Sequence, residues 1–198
     1  MSAMPSVLLC LAHGNDAIEI TTFLSLLPRA GIQVTVASVE GDSTLALQSA
    51  EGLTFQADLP LCQAVDNAHD VLLLLGGRES SQTYVESDLV IESIAQFTAS
   101  QRYVAAMSHV VPGLIDKVDR FRGANVTCLP QQKALLQHTQ WQERRVVVDP
   151  RYYLLSGQGP LCATDMALKI IELLKGKEDA HAITHDLAIP IGIYNYQE

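Results

Sequence analysis

A hydroxyl, a carboxylate and a glycine pair stand where this chain could do chemistry. Ser108 directly follows the apolar run Tyr103–Met107 and precedes a helical pattern that begins at His109. That is the position of a nucleophile elbow. The sharp strand-to-helix turn exposes the side chain, and free N–H groups of the helix start can stabilise an oxyanion. An elbow needs small neighbours two residues to either side; Ala106 satisfies this and Val110 does not. The plainer role for the same Ser is a helix cap. Glu19 stands at the start of the first helical pattern. It could share a proton with a group on the Ser108 loop, or simply sit in the first turn where the helix dipole favours an acid. Gly76-Gly77 ends another strand, where it either lets a ligand approach the backbone and its N–H donors or makes a tight turn.

The remaining reactive residue types form no constellation. His69, His138, His181 and His185 lie away from the predicted strand ends. His181 and His185 are spaced i, i+4 and could grip a metal from one helix face, but with no third ligand in view they read as a solvated face, and no metal or cofactor is expected. The four cysteines, Cys10, Cys62, Cys128 and Cys162, contain no CxxC pair. They read as buried, reduced thiols. Cys162 is the one placed at a helix N-terminus, where the dipole lowers a thiol pKa.

The elements that must position these groups are strands alternating with helices. Ser6–Ala12 is a continuous apolar run, as in a strand buried on both faces. Glu19–Arg29 carries Ile20, Phe23, Leu24 and Leu27 at helical spacing, with Gly31 as a stop. Gln33–Val39 reads as a strand, Gly41–Gly52 as a turn and short hairpin, and Val71–Leu75 and Tyr103–Met107 as buried strands. Asp88 is the expected cap of a helix presenting Val90, Ile94 and Phe97. Arg145–Asp149 and Tyr153–Ser156 flank the turn Asp149-Pro150-Arg151, a hairpin signal. A clean amphipathic helix follows, with Ala163, Met166, Ala167, Ile170, Ile171 and Leu174 on one stripe and Gly176 as its stop. A last helix is predicted over about Glu178–Leu187, then an apolar tail at 191–196. The alternation implies an α/β fold with a mostly parallel sheet and helices on both faces, read as one domain over residues 1–198. Ligands in such folds bind beyond the carboxyl ends of the strands. Those loops start here at His13, Gly76, Ser108 and Gly157.

Composition narrows the partners. The chain has 198 residues, 48% of them hydrophobic and 18% charged, which excludes a disordered polyelectrolyte. Its formal charge of −9 argues against nucleic acid and against an anionic membrane surface. No basic residue precedes Arg29, so no secretory signal is read, and Val71–Leu75 is far too short to span a bilayer. A cytoplasmic address is the expectation.

Several segments resemble one family nearly end to end. "RRVVVDPRYYLLSGQGP", "LKIIELLKGKEDAH" and "GIYNYQE" are the densest matches, joined by "AGIQVTVASV", "LLLLGG" and "VAAMS". The chain is similar to the ThiJ/PfpI superfamily, which includes the parkinsonism-associated protein deglycase, and specifically to its bacterial YajL-like branch. The resemblance implies a flavodoxin-like three-layer sandwich and a homodimer. It implies activities attributed to members: conversion of methylglyoxal to lactate, repair of glycated proteins, chaperone action and peptidase action. Small carbonyl compounds or glycated proteins are the implied partners. Its site is a reactive Cys on the elbow, a Glu hydrogen-bonded to it, and N–H groups of a Gly-Gly turn. Carried over, Glu19 matches the Glu, Gly76 and Gly77 the turn, and Gly159 and Pro160 a Gly-Pro that lines the pocket. His109 falls where PfpI-type members have a His after the Cys.

The resemblance also shows departures. Ser108 stands in place of the reactive Cys. Leu75, Leu161, Val110, Val111, His13, Leu129 and Glu51 each differ from the family pattern, and those near the pocket add bulk or remove a reactive group. A thiol with a pKa of about 8.5 is readily driven to thiolate, whereas a Ser hydroxyl needs a general base within hydrogen-bond reach. His109 is adjacent in sequence, but adjacent side chains at a helix start point apart. Two readings follow: a divergent, non-catalytic member, or an enzyme acting through Ser108 and Glu19 on small carbonyl compounds or glycated adducts.

Overall fold

The computed structural model describes residues 4–42, 44–65 and 68–189. The tail expected over 191–196 lies outside them. In chain order the elements are β1 (Ser6–Leu11), α1 (Ala17–Arg29), β2 (Gln33–Ser38), β3 (Ala46–Gln48), β4 (Thr54–Gln56), β5 (Leu59–Pro60), α2 (Leu61–Ala64), β6 (Val71–Leu74), α3 (Arg78–Glu86), α4 (Asp88–Ala99), β7 (Tyr103–Met107), α5 (Val110–Gly113), β8 (Asn125–Val126), β9 (Gln140–Trp141), β10 (Val146–Asp149), β11 (Leu154–Gly157), α6 (Ala163–Lys175) and α7 (Lys177–Asp186).

Seven strands form the central sheet in the order β10-β11-β7-β6-β1-β2-β5. All its pairs are parallel except the β10–β11 hairpin at one edge. Four of the five inner strands, β1, β2, β6 and β7, are those expected from the sequence, and β1 and β6 are buried at every position. Alternation splits each strand between two faces. Val7, Leu9, Leu11, Val71, Leu73, Ala105 and Met107 pack against α1, α6 and α7. Leu8, Cys10, Leu72, Leu74, Val104 and Ala106 pack against α3, α4 and α5. Each fully buried large side chain, such as Phe23 or Phe97, contributes roughly 1.5–3 kcal/mol on leaving water. The result is a helix–sheet–helix sandwich of the flavodoxin-like kind, with the inner strand ends aimed at a common rim.

Four expectations need correction. The cap of α4 is Ser87, whose side chain accepts from the Val90 N–H, and Asp88 is the first helical residue. The hairpin runs from Ala46 to Gln56, later than the Gly41–Gly52 expected, because the chain turns at Gly41-Asp42 before it pairs. The helix after His109 is a single turn that stops at Gly113. α3 was not expected: its sequence RESSQTYVE offers only Tyr84 and Val85 as apolar residues, so it has no stripe to read. No helix among the described residues is long and apolar enough to cross a membrane.

Candidate active site

Three loops from the carboxyl ends of β1, β6 and β7 meet at the rim. Ser108 turns there with φ +41°, in the left-handed region that a non-glycine residue adopts only under constraint. Its N–H donates to Gly157 O (2.9 Å) at the end of β11, which fixes the turn. Its hydroxyl donates to Glu19 Oε1 at 2.8 Å. The other carboxylate oxygen, Oε2, accepts the Gly76 N–H at 2.5 Å. Glu19 is fully buried and Ser108 is 1% exposed.

Only glycine fits at 76. A Cβ there would lie 1.9 Å from Ser108 Oγ and 2.8 Å from Glu19 Oε1. Gly77 adopts φ +142°, and a Cβ would lie 2.1 Å from Gly14 O. With the Gly76 N–H taken by Glu19, the Gly77 and His109 N–H groups are the two at this turn left without a partner among the described residues.

A fully buried asparagine clamps the loops together. Asn15 Nδ2 donates to Leu75 O (2.9 Å) and Gly76 O (3.1 Å), while its Oδ1 accepts from Ala12 N (2.7 Å) and Tyr84 Oη (3.1 Å). Asp16 caps α1 by accepting from the Ile18 and Glu19 N–H groups, which places Glu19 in the first turn facing inward. Glu51 reaches from the hairpin to accept the Ala17 N–H at 2.9 Å. None of these supporting roles was read from the sequence. Asp16 was findable as an Asn-Asp cap signal before an apolar-periodic run; Asn15 and Tyr84 carry no periodic signal.

Burial dominates the electrostatics. Desolvation pushes the Glu19 carboxyl from an ordinary 4.5 up to about 8, against the opposing hydrogen bonds from Gly76 and Ser108. Glu19 is therefore mostly protonated near pH 7. Burial, and then the charge of Arg78, lower the His109 pKa, so its ring is neutral near pH 7. No hydrogen bond joins that ring to Ser108 among the described residues. It lines instead a separate cavity of ≈ 330 Å³ beside the elbow.

Of the residues expected at the site, Ser108, Glu19 and Gly76 are brought into contact, with Gly77 next to them. Gly159 and Pro160 enter the short turn before α6, where a Gly159 Cβ would meet Leu129 Cδ2 at 2.9 Å. Neither bonds to Ser108. The two bulky departures do not plug the elbow: Leu161 points to solvent at 73% exposure, and Val110 belongs to the core beneath. Cys162 is buried, as expected, and its helix start does not lower its pKa. Desolvation outweighs the helix-start effect and raises the thiol. Burial likewise drives Cys10 to about 12 and Cys128 to about 11. Among the described residues no group of three or more His, Cys, Asp or Glu could hold a metal.

Comparison with known proteins places nearly the whole chain in one family. The DJ-1/PfpI family model matches residues 5–173. The chain belongs to the DJ-1/PfpI family. Protein dj-1beta of Drosophila melanogaster is 30% identical over 186 residues, covering 93% of this chain and 97% of that protein. The crystal structure of Drosophila melanogaster DJ-1beta superposes with a TM-score of 0.88 at 29% identity, covering 94% of this chain and 99% of that one. The Caenorhabditis elegans glutathione-independent glyoxalase DJR-1.2 is 25% identical, covering 96% of this chain and 99% of that protein. The DJ-1/PfpI assignment agrees with the mostly parallel central sheet flanked by helices.

Proposed function

We propose that this chain is a divergent DJ-1/PfpI protein of YajL-like type whose elbow recognises a ligand or partner and does not perform covalent catalysis. One observation carries the reading: among the described residues, Ser108 stands in the elbow with its hydroxyl buried and bonded to Glu19 alone, an acid mostly protonated near pH 7. A protonated carboxyl cannot accept the Ser proton, and His109, the other candidate base, is turned away. The relic site keeps the family's geometry and lacks the readily ionised thiol.

A homodimer, in the cytoplasm, is part of the proposal. Ile18 (46%), Leu53 (53%) and Leu161 (73%) are large exposed apolar side chains on elements that meet at the start of α1. Light scattering at micromolar concentration is expected to give about twice the 21.5 kDa chain mass.

A second reading is favoured by the raised pKa of Glu19 beside the hydroxyl, and by the relative named as a glyoxalase. Once Glu19 is ionised, Ser108 Oγ would bond to the aldehyde carbon of methylglyoxal and pass its proton to Glu19. The Gly77 and His109 N–H groups would receive the new alkoxide. Transfer of the aldehyde hydrogen to the neighbouring ketone carbon would oxidise the first carbon and reduce the second, leaving a lactoyl ester on Ser108. Water would hydrolyse that ester, releasing lactate and restoring the hydroxyl. The deciding experiment is a methylglyoxal-to-lactate assay on the native protein beside Ser108→Ala and Ser108→Cys. The proposal expects native protein and Ser108→Ala to be equally inactive. Lactate formation by the native protein that Ser108→Ala abolishes would reverse the order of the two readings.

A further inference from the structure

The cavity beside the elbow has a composition that the rest of the molecule does not lead one to expect. It lies between α3, α5 and the 3-10 segment Pro130–Leu135, and its volume of ≈ 330 Å³ suits a small organic molecule. Arg78, Lys117 and His109 line it, and no Asp or Glu does. This occurs in a chain with 22 acidic residues against 13 Lys and Arg. Neither Arg78 nor Lys117 forms an ion pair among the described residues.

A further observation points to an occupant. Gln132 adds a polar side chain to the wall. The apolar part of the wall, Val85, Pro112 and Leu135, includes one of the most exposed large hydrophobic side chains, Leu135 at 59%. Two unneutralised cations facing an apolar wall complement an anion with an apolar body. A guanidinium fork adds bidentate geometry that fits carboxylate or phosphate oxygens.

We propose that this cavity binds a small organic anion, a carboxylate or phosphate monoester, with its charge on Arg78 and Lys117 and its apolar body against Val85, Pro112 and Leu135. Binding here is independent of whether Ser108 reacts. The site touches the elbow only through His109, so an occupant would report on the elbow without entering it.

The test is an amide NMR titration of the full chain with benzoate, phenyl phosphate and neutral benzamide. It is repeated on the Arg78→Gln/Lys117→Gln double variant, whose exposed side chains can be changed without disturbing the core. The expected result is saturable shifts at Val85, Gly113 and Leu135 with at least one of the two anions. The double variant should raise Kd about tenfold or more, and benzamide should bind at least about tenfold more weakly than that anion. The tighter anion identifies which ligand source the site serves. Absence of saturable binding by both anions, equal binding of benzamide, or an unchanged Kd in the double variant would overturn the proposal.

Discussion

Ser108 Oγ donates to Glu19 Oε1 across 2.8 Å, although the two residues stand 89 positions apart in the chain. The pair is held by backbone on both sides. The Gly76 N–H occupies the second carboxylate oxygen, and the Gly157 carbonyl holds the Ser108 N–H. The lone acidic partner therefore constrains the hydroxyl instead of activating it.

The raised pKa of Glu19 makes the fold sensitive to pH in a defined direction. In the unfolded chain this carboxyl ionises near 4.5, and in the folded protein near 8. Between those values the folded state holds the extra proton, so the Glu19 contribution to stability is full below about 4.5 and is lost as pH rises to about 8. The slope is at most about 1.4 kcal/mol per pH unit. Urea unfolding of the native protein and Glu19→Gln from pH 5 to 8.5 should show this decline in the native protein and its loss in the variant. Parallel pH curves for the two would contradict the assignment.

Asn15 satisfies four polar partners from full burial, so its loss should be costly. Asn15→Ala leaves Leu75 O, Gly76 O, Ala12 N and the Tyr84 hydroxyl short of a bond, at roughly 3–5 kcal/mol. Tyr84→Phe deletes one hydroxyl that bonds Cys10 O and Asn15 Oδ1, and should cost about 1–2 kcal/mol. Denaturant midpoints rank the two; a larger loss for Tyr84→Phe would refute the central place given to Asn15.

The two glycine motifs should separate under the same substitution. Gly76→Ala places a methyl inside contact distance of the buried Ser108 hydroxyl and Glu19 carboxyl, and should destabilise by about 3 kcal/mol or more. Gly159 has extended backbone (φ −170°), and its nearest neighbour is the tip of Leu129, so Gly159→Ala should cost less than about 1 kcal/mol. Thermal melts of both variants are sufficient to check this order.

Oxidation should spare most of the thiols. Cys10, Cys128 and Cys162 are buried, with thiols raised by desolvation, while Cys62 on α2 is exposed. Position 108, a Ser, cannot enter the cysteine oxidation ladder. Peptide mass spectrometry after mild peroxide should place any modification on Cys62. A stoichiometric sulfinic acid on Cys162 would show that the helix start outweighs burial after all.

How much of this was legible follows from what each residue displays. β1, β6 and β7 announce themselves as apolar runs, β2 by alternation, and α6 as a 3.6-residue stripe, because burial selects those patterns directly. α3 faces inward with Tyr84, two serines and part of Val85, and so shows no stripe. Ser108 stood out because a hydroxyl directly follows a buried strand. Its link to Glu19 stood as one of two readings of an acid in the first strand-end loop, and the family resemblance favoured it; no local pattern encodes a contact between loops 89 positions apart. Asn15 escaped notice because a buried polar clamp looks like any turn asparagine. At Cys162 burial raises the thiol and outweighs the helix start, in keeping with the buried, reduced thiol expected.

The central claim is that Glu19 holds the Ser108 hydroxyl unactivated. Incubating the native protein with a small fluorophosphonate at pH 7 and mapping adducts by peptide mass spectrometry tests it most directly. The account predicts no adduct on Ser108 beyond the level found on surface serines. Stoichiometric labelling of Ser108 would contradict it.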